Sequence, residues 1–250
     1  MIQLHKRKSF TYHEKGTGKP VLILHGLFGE NEMEKGFLEQ VGDDFNYHLL
    51  YLPLFKMPLL KTSVKGLLDY VEEFVEFKKW DEFHIVGTSL GGHVAMLYAE
   101  SYPEKIRSMT LIATAGLYRA EGGGTFPKRG DLEAIKKRVA WHFFDESLIS
   151  SSLVADVEAV INDPNKVQRL LALAKSSSEN KMGRAMLKLK IPTCLIWGKD
   201  DKITPPEMGE ELFSLFKKGK LNWIEDCGHA AIIEKAKEVS QIMGEFLWES

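Results

Sequence analysis

The chain has 250 residues, a formal charge of −2 and a hydrophobic content of 44%. That length suffices for one sizeable α/β domain with its own core, and a charge so close to neutral gives no reason to expect nucleic acid or an anionic membrane surface as a partner. No stretch approaches the roughly 20 apolar residues of a membrane-spanning helix, and the basic start MIQLHKRKSF lacks the apolar run of a signal peptide. Cys194 and Cys227 lie far apart and read as free thiols, so a cytoplasmic location is the expectation.

No internal repeat, heptad array or low-complexity tract is visible. In chain order, apolar runs predict strands at Val21–Leu24 and Tyr47–Leu52. A helix follows over Ser63–Phe77, where Val64, Leu67, Leu68, Val71, Phe74 and Val75 recur at helical spacing. Phe83–Val86 reads as a strand, the segment after the turn at Ser89 as a helix, and Met109–Ala113 as a strand. Then the pattern changes. The glycine-rich ATAGLYRAEGGGTFPKRGD, broken by Pro127, leads into helices at Asp131–Phe144 and Leu148–Ile161. A third carries the stripe Val167, Leu170, Leu171, Ala174. Strands resume at Thr193–Trp197 and Leu221–Ile224, and a helix over Glu234–Trp248 closes the chain. Fully apolar strands separated by helices imply a mostly parallel sheet covered on both faces. The middle tract far exceeds the dozen or so residues that a crossover needs. The expectation is therefore a core of residues 1–115 and 190–250 with a helical cap inserted at 116–189.

The chemistry concentrates at Gly87-Thr88-Ser89-Leu90-Gly91. G-x-S-x-G between a strand and a helix is the pattern of a nucleophile elbow, a strained turn that lifts a serine hydroxyl above the sheet. Gly87 and Gly91 occupy the positions that would crowd each other if they carried a Cβ. The turn also sets Ser89 at a helix N-terminus, where unpaired N–H groups favour developing negative charge. A nucleophilic serine needs a base. Of eight histidines, only His229, in NWIEDCGHAAIIE, lies downstream of any plausible acid, as the order serine, acid, histidine requires. The acid should follow the strand in CLIWGKDDKITPP, where Asp200 and Asp201 are both candidates. The earlier strand end, TLIATAGLY, offers none. An oxyanion hole would use the N–H of Leu90 and that of Leu27 in HGLFG, where Gly26 and Gly29 allow close backbone approach. His25 reads as a brace for this loop rather than as the base.

The motifs HGLFG, GTSLGG, WGKDDKITPP and CGHAAIIE, in that order, closely resemble the α/β-hydrolase superfamily across essentially the whole chain. The branch they resemble is the capped serine esterases and carbon–carbon hydrolases of the meta-cleavage-product type. The segment FFDESLISSSLVADVEAVINDPNKVQRLLALAKS resembles the caps of the latter. The resemblance implies an α/β-hydrolase fold, Asp201 as the acid, Leu27 and Leu90 as oxyanion donors, and no aspartyl nucleophile of the dehalogenase kind. The chain departs from meta-cleavage enzymes at Ala230, where they place a tryptophan, and at Val157, where they place a carboxylate-gripping arginine. Its early loop also carries less glycine than theirs. An apolar side chain cannot act as a bidentate clamp, so a neutral, apolar acyl substrate is the expectation.

Two other readings stand beside the esterase. A carbon–carbon hydrolase would keep the triad and need a cap cation, from Arg119, Arg129, Arg138, Arg169 or Arg184. A hydrolase-fold receptor with little turnover would need no more than the pocket. Phe126, Trp141, Phe143, Phe144 and Leu148 read first as core and second as the lining of an acyl pocket. Met96, Met109, Met182, Met186 and Met208 read as core filler. No cluster has metal-ligand spacing and no loop has a nucleotide-binding form, so no cofactor is expected. The sequence leaves a homodimer open.

Overall fold

A computed structural model describes residues 1–27, 32–117, 127–182, 186 and 188–250. Eight strands and nine helices are seen among them. In chain order these are β1 (Gln3–Arg7), β2 (Phe10–Lys15), β3 (Pro20–Leu24), α1 (Glu32–Gln40), β4 (Asn46–Leu50), α2 (Val64–Lys78), β5 (Phe83–Thr88), α3 (Leu90–Ser101) and β6 (Ile106–Ile112). Then come α4 (Leu132–Ala140), α5 (Ser151–Ile161), α6 (Pro164–Glu179), β7 (Thr193–Gly198), α7 (Pro206–Leu215), β8 (Gly219–Ile224), α8 (Ala231–Glu234) and α9 (Ala236–Glu249).

The strands form one sheet in the order β1-β2-β4-β3-β5-β6-β7-β8. β1 pairs antiparallel with β2, and β2 with β4. From β4 to β8 every pairing is parallel. Side chains alternate between faces along a strand. Leu22 and Leu24 accordingly enter the core beneath α2 and α3 with Val71, Phe74 and Val94. Val21 and Ile23 enter the opposite one with Phe37, Val239 and Met243. A smaller apolar cluster joins α4 to α5 through Ile135, Val139, Phe143, Leu153, Val157 and Ile161. The five methionines expected in the core are all buried there, and Cys194 and Cys227 are buried free thiols.

Caps set the helix starts. The Ser63 hydroxyl accepts the Gly66 N–H, Asp131 that of Ala134, Ser150 that of Leu153, and Asp163 those of Asn165 and Lys166. The expected start at Leu148 therefore moves to Ser151, with a short 3-10 turn over Glu146–Leu148 ahead of it. The expected closing helix over Glu234–Trp248 is α9, which starts at Ala236 because the chain breaks at Lys235 after the short α8. Sequence periodicity missed β1, β2, α1 and α7. β1 is an edge strand of mostly exposed residues, QLHKR, and carries no apolar run to read.

Candidate active site

β5 delivers Ser89 and α3 begins directly after it. Ser89 has φ 49° and ψ −116°, a left-handed conformation costing an L-residue on the order of 1–3 kcal/mol. The surrounding bonds hold it there. Its N–H donates to the Ile112 carbonyl at 3.1 Å, and its own carbonyl accepts from His93 N–H at 3.2 Å and Ala115 N–H at 3.0 Å. A Cβ at Gly87 would lie 2.5 Å from the Gly91 carbonyl oxygen, and one at Gly91 would overlap the Leu24 carbonyl. The elbow closes only with glycine at both positions.

His229 follows β8 on the loop before α8. Its Nδ1–H donates to Asp201 Oδ2 at 2.8 Å, and its Nε2 accepts from Ser89 Oγ at 3.0 Å. The structure thus brings Ser89, Asp201 and His229 together. It also separates the two adjacent aspartates. Asp201 is buried, whereas Asp200 is partly exposed. Asp201 Oδ1 accepts the N–H groups of Ile203 (2.8 Å) and Thr204 (2.9 Å), and the Thr204 hydroxyl donates to Oδ2 at 2.7 Å. Burial alone would raise the Asp201 carboxyl. The charge of His229 and the bonds from His229 and Thr204 outweigh it, holding the group below the usual carboxylate range. Thr204 was not singled out in the sequence, although an aspartate with a threonine three residues on is a recognisable turn signal.

Gly26 and Leu27 follow β3 and face the serine. A Cβ on Gly26 would stand 3.2 Å from Ser89 Cβ and 3.8 Å from its Oγ. His25 donates from Nδ1 to the Gly26 carbonyl at 2.7 Å and accepts the Leu52 N–H at Nε2, 2.8 Å away, so it braces the loop as expected. Leu90 is the first residue of α3, and its N–H has no partner from the helix itself. Gly29 lies outside the described residues.

A cavity of about 190 Å³ opens at Ser89 and His229. Gly26 and Leu27 line one side, and Val139, Phe143, Leu153, Val157 and Ile161 of the helical insertion line another. Of the described members of the aromatic set, only Phe143 lines it. Trp141, Phe144 and Leu148 are 42%, 47% and 43% exposed, and Phe126 lies outside the described residues. Among the candidate arginines, Arg138 lines the cavity. Arg129 is exposed, Arg169 is engaged by the carbonyls of Met57 and Asn165, and Arg119 and Arg184 lie outside the described residues. Three polar groups on the wall went unrecognised or unplaced in the sequence: Arg138, His142 and Glu34. The His142 ring meets that of His229 edge-on, 5.6 Å between centroids, and burial, then the neighbouring His229, push its pKa down to about 4. Nothing in the spacing of Glu34 or His142 signals the site, because both reach it only through helix packing.

The family described as serine aminopeptidase, S33, matches residues 55–236. The mouse (Mus musculus) monoacylglycerol lipase ABHD6 is 25% identical over 272 residues, covering 97% of this chain and 80% of the mouse protein. The 2-hydroxy-6-oxo-6-phenylhexa-2,4-dienoate hydrolase of Comamonas testosteroni is 25% identical over 258 residues, covering 94% and 90%. Among solved structures, an α/β hydrolase enzyme from the metagenome of lagoon sediments at Mar Chica, Morocco, superposes with a TM-score of 0.79. It is 34% identical, with 99% of this chain and 98% of that one covered. Among the described residues no helix is long and apolar enough to cross a membrane, and no group of side chains could hold a metal ion. The chain belongs to the α/β-hydrolase superfamily, in the family described as serine aminopeptidase, S33, and is a serine hydrolase.

Proposed function

We propose that the chain hydrolyses a small, neutral carboxylic ester with an apolar acyl part through an acyl-enzyme on Ser89. The observation that carries this reading is the imidazole of His229, hydrogen-bonded to Ser89 Oγ at 3.0 Å and to Asp201 Oδ2 at 2.8 Å. In the proposed cycle Ser89 Oγ attacks the ester carbonyl as His229 Nε2 takes its proton. Asp201 fixes the tautomer and stabilises the imidazolium, and the N–H groups of Leu27 and Leu90 hold the oxyanion. His229 then protonates the departing alkoxide. A water, deprotonated by the same nitrogen, attacks the acyl carbon and releases the acid and free Ser89.

The apolar wall supports an apolar acyl part, and α4, α5 and α6 serve in this reading as a cap over it. Hydrolysis of p-nitrophenyl butyrate tests the proposal. Ser89→Ala should lower kcat/KM by at least about 10³-fold with the melting temperature retained, and an active variant would sink it.

One observation favours a second reading, carbon–carbon cleavage of an anionic dienoate. Arg138 lines the cavity half-buried, with the Trp141 ring 5.7 Å away and no acidic partner among the described residues. A guanidinium there suits a substrate carboxylate. Turnover of a ring-cleavage dienoate, lost in Arg138→Leu far more than ester turnover, would support it. No turnover by the native protein would leave the ester reading alone.

A further inference from the structure

Glu34, on α1, lines the cavity, as do Leu27 and Ile233. It is the acidic side chain among the described lining residues. It is only 8% exposed, and its Oε2 has no hydrogen-bond partner among the described residues. A buried carboxyl oxygen without a partner is costly, because the group has given up its hydration with nothing in exchange. An apolar residue at this position would remove that cost, because Leu27, Ile232 and Ile233 already make the neighbouring wall apolar. Burial pushes the group up to about 8, so at neutral pH it is chiefly the acid form, with one O–H donor and one carbonyl acceptor.

We infer that Glu34 is a specificity-determining residue that pairs with a free hydroxyl of the substrate, so that the preferred ester carries an alcohol group besides its scissile bond. A hydroxyl both donates and accepts, which matches the two faces of an un-ionised carboxyl. An apolar site with one such group rejects an analogue lacking the hydroxyl, because the buried partner is then left unpaired. This inference rests on the proposed ester hydrolysis. The hydroxyl could stand on the alcohol part or on the acyl part, and the test separates the two.

Two substrate pairs are compared at neutral pH: 2,3-dihydroxypropyl butyrate against propyl butyrate, and p-nitrophenyl 3-hydroxybutyrate against p-nitrophenyl butyrate. The native protein should prefer the hydroxylated member of one pair in kcat/KM by about tenfold or more, the worth of one good hydrogen bond. Glu34→Leu should collapse that ratio toward one, and Glu34→Gln, which still donates and accepts, should keep most of it. The pair that responds identifies the side of the ester. A native ratio near one in both pairs, or a ratio that Glu34→Leu leaves unmoved, overturns the inference. Failure of the native protein to cleave p-nitrophenyl butyrate at all would instead sink the underlying ester reading.

Discussion

Glu234 holds Gly228: its Oε1 accepts the Gly228 N–H at 2.8 Å. The other carboxylate oxygen accepts the N–H groups of Phe144 at 2.7 Å and Asp145 at 3.0 Å. Gly228 adjoins His229, and Phe144 and Asp145 follow α4. The Ala230 N–H adds a bond to the His142 carbonyl at 2.9 Å. One carboxylate therefore fastens the histidine loop to the foot of the helical insertion. Glu234→Ala should destabilise the protein by about 1–2 kcal/mol, since three N–H groups lose their acceptor. It should also lower kcat on p-nitrophenyl butyrate more than it changes KM, because the loop that aims the imidazole is released. A variant with native melting temperature and native kcat would show that the link does neither.

Asp201→Asn should leave the fold near native, because an amide oxygen can still accept the Ile203 and Thr204 N–H groups. The side chain facing His229 Nδ1 would then be a donor, which favours the wrong imidazole tautomer. A fall in kcat of about 10³–10⁴-fold is expected from that change. A loss below tenfold would remove Asp201 from the proposed cycle.

Gly26→Ala places a methyl 3.2 Å from Ser89 Cβ, tighter than side chains ordinarily pack. Either the loop carrying the Leu27 N–H or the serine must give way by a fraction of an ångström. A misplacement of that kind should cost about 10–100-fold in kcat/KM while the melting temperature changes little. Unaltered ester hydrolysis would argue against the Gly26–Leu27 loop as part of the reacting geometry.

Acidity and alkalinity should destabilise the fold through different groups. Burial pushes His25, His84 and His142 each down to about 4. Between the ordinary histidine value near 6.5 and about 4, the unfolded chain binds protons that the folded chain refuses, so stability falls as pH falls through that window. Glu34 acts in the opposite sense. Raised to about 8 from the ordinary glutamate value of 4.5, it keeps in the fold a proton that the unfolded chain releases, so its contribution falls as pH rises from 4.5 to 8 and is then constant. Glu34→Gln should therefore raise the melting temperature over the native protein by an amount that grows across that range and levels off above pH 8. A difference independent of pH, measured by thermal unfolding, would contradict an un-ionised Glu34.

Much of the scaffold was legible in the sequence. The interior strands are apolar on both faces, and they stood out for that reason. The caps Ser63, Asp131 and Asp163 sit where side-chain oxygens meet the first free N–H groups of their helices. β1 was hidden because an exposed edge strand needs no apolar signal, and α7 because its register, EMGEELFSL, buries only Met208, Gly209 and Leu212. The exposed Trp141 and Phe144 show the converse error. With Phe126, Phe143 and Leu148 they read first as core, and of the described members only Phe143 is buried, where it lines the cavity.

By itself the sequence determined the elbow, since a serine held at positive φ between crowded strand and helix leaves glycine as the residue that fits on either side. It also determined the order of serine, acid and histidine along the chain. The residues of WGKDDKITPP left Asp200 and Asp201 open and the family resemblance pointed to Asp201; tertiary structure supplies the physical reason, burying that carboxylate against His229 across 28 residues of chain. It alone placed Glu34, Arg138 and His142 around one cavity. Their positions follow from how α1 and α4 pack against the site, and contacts between distant helices leave no periodicity in the residues that make them.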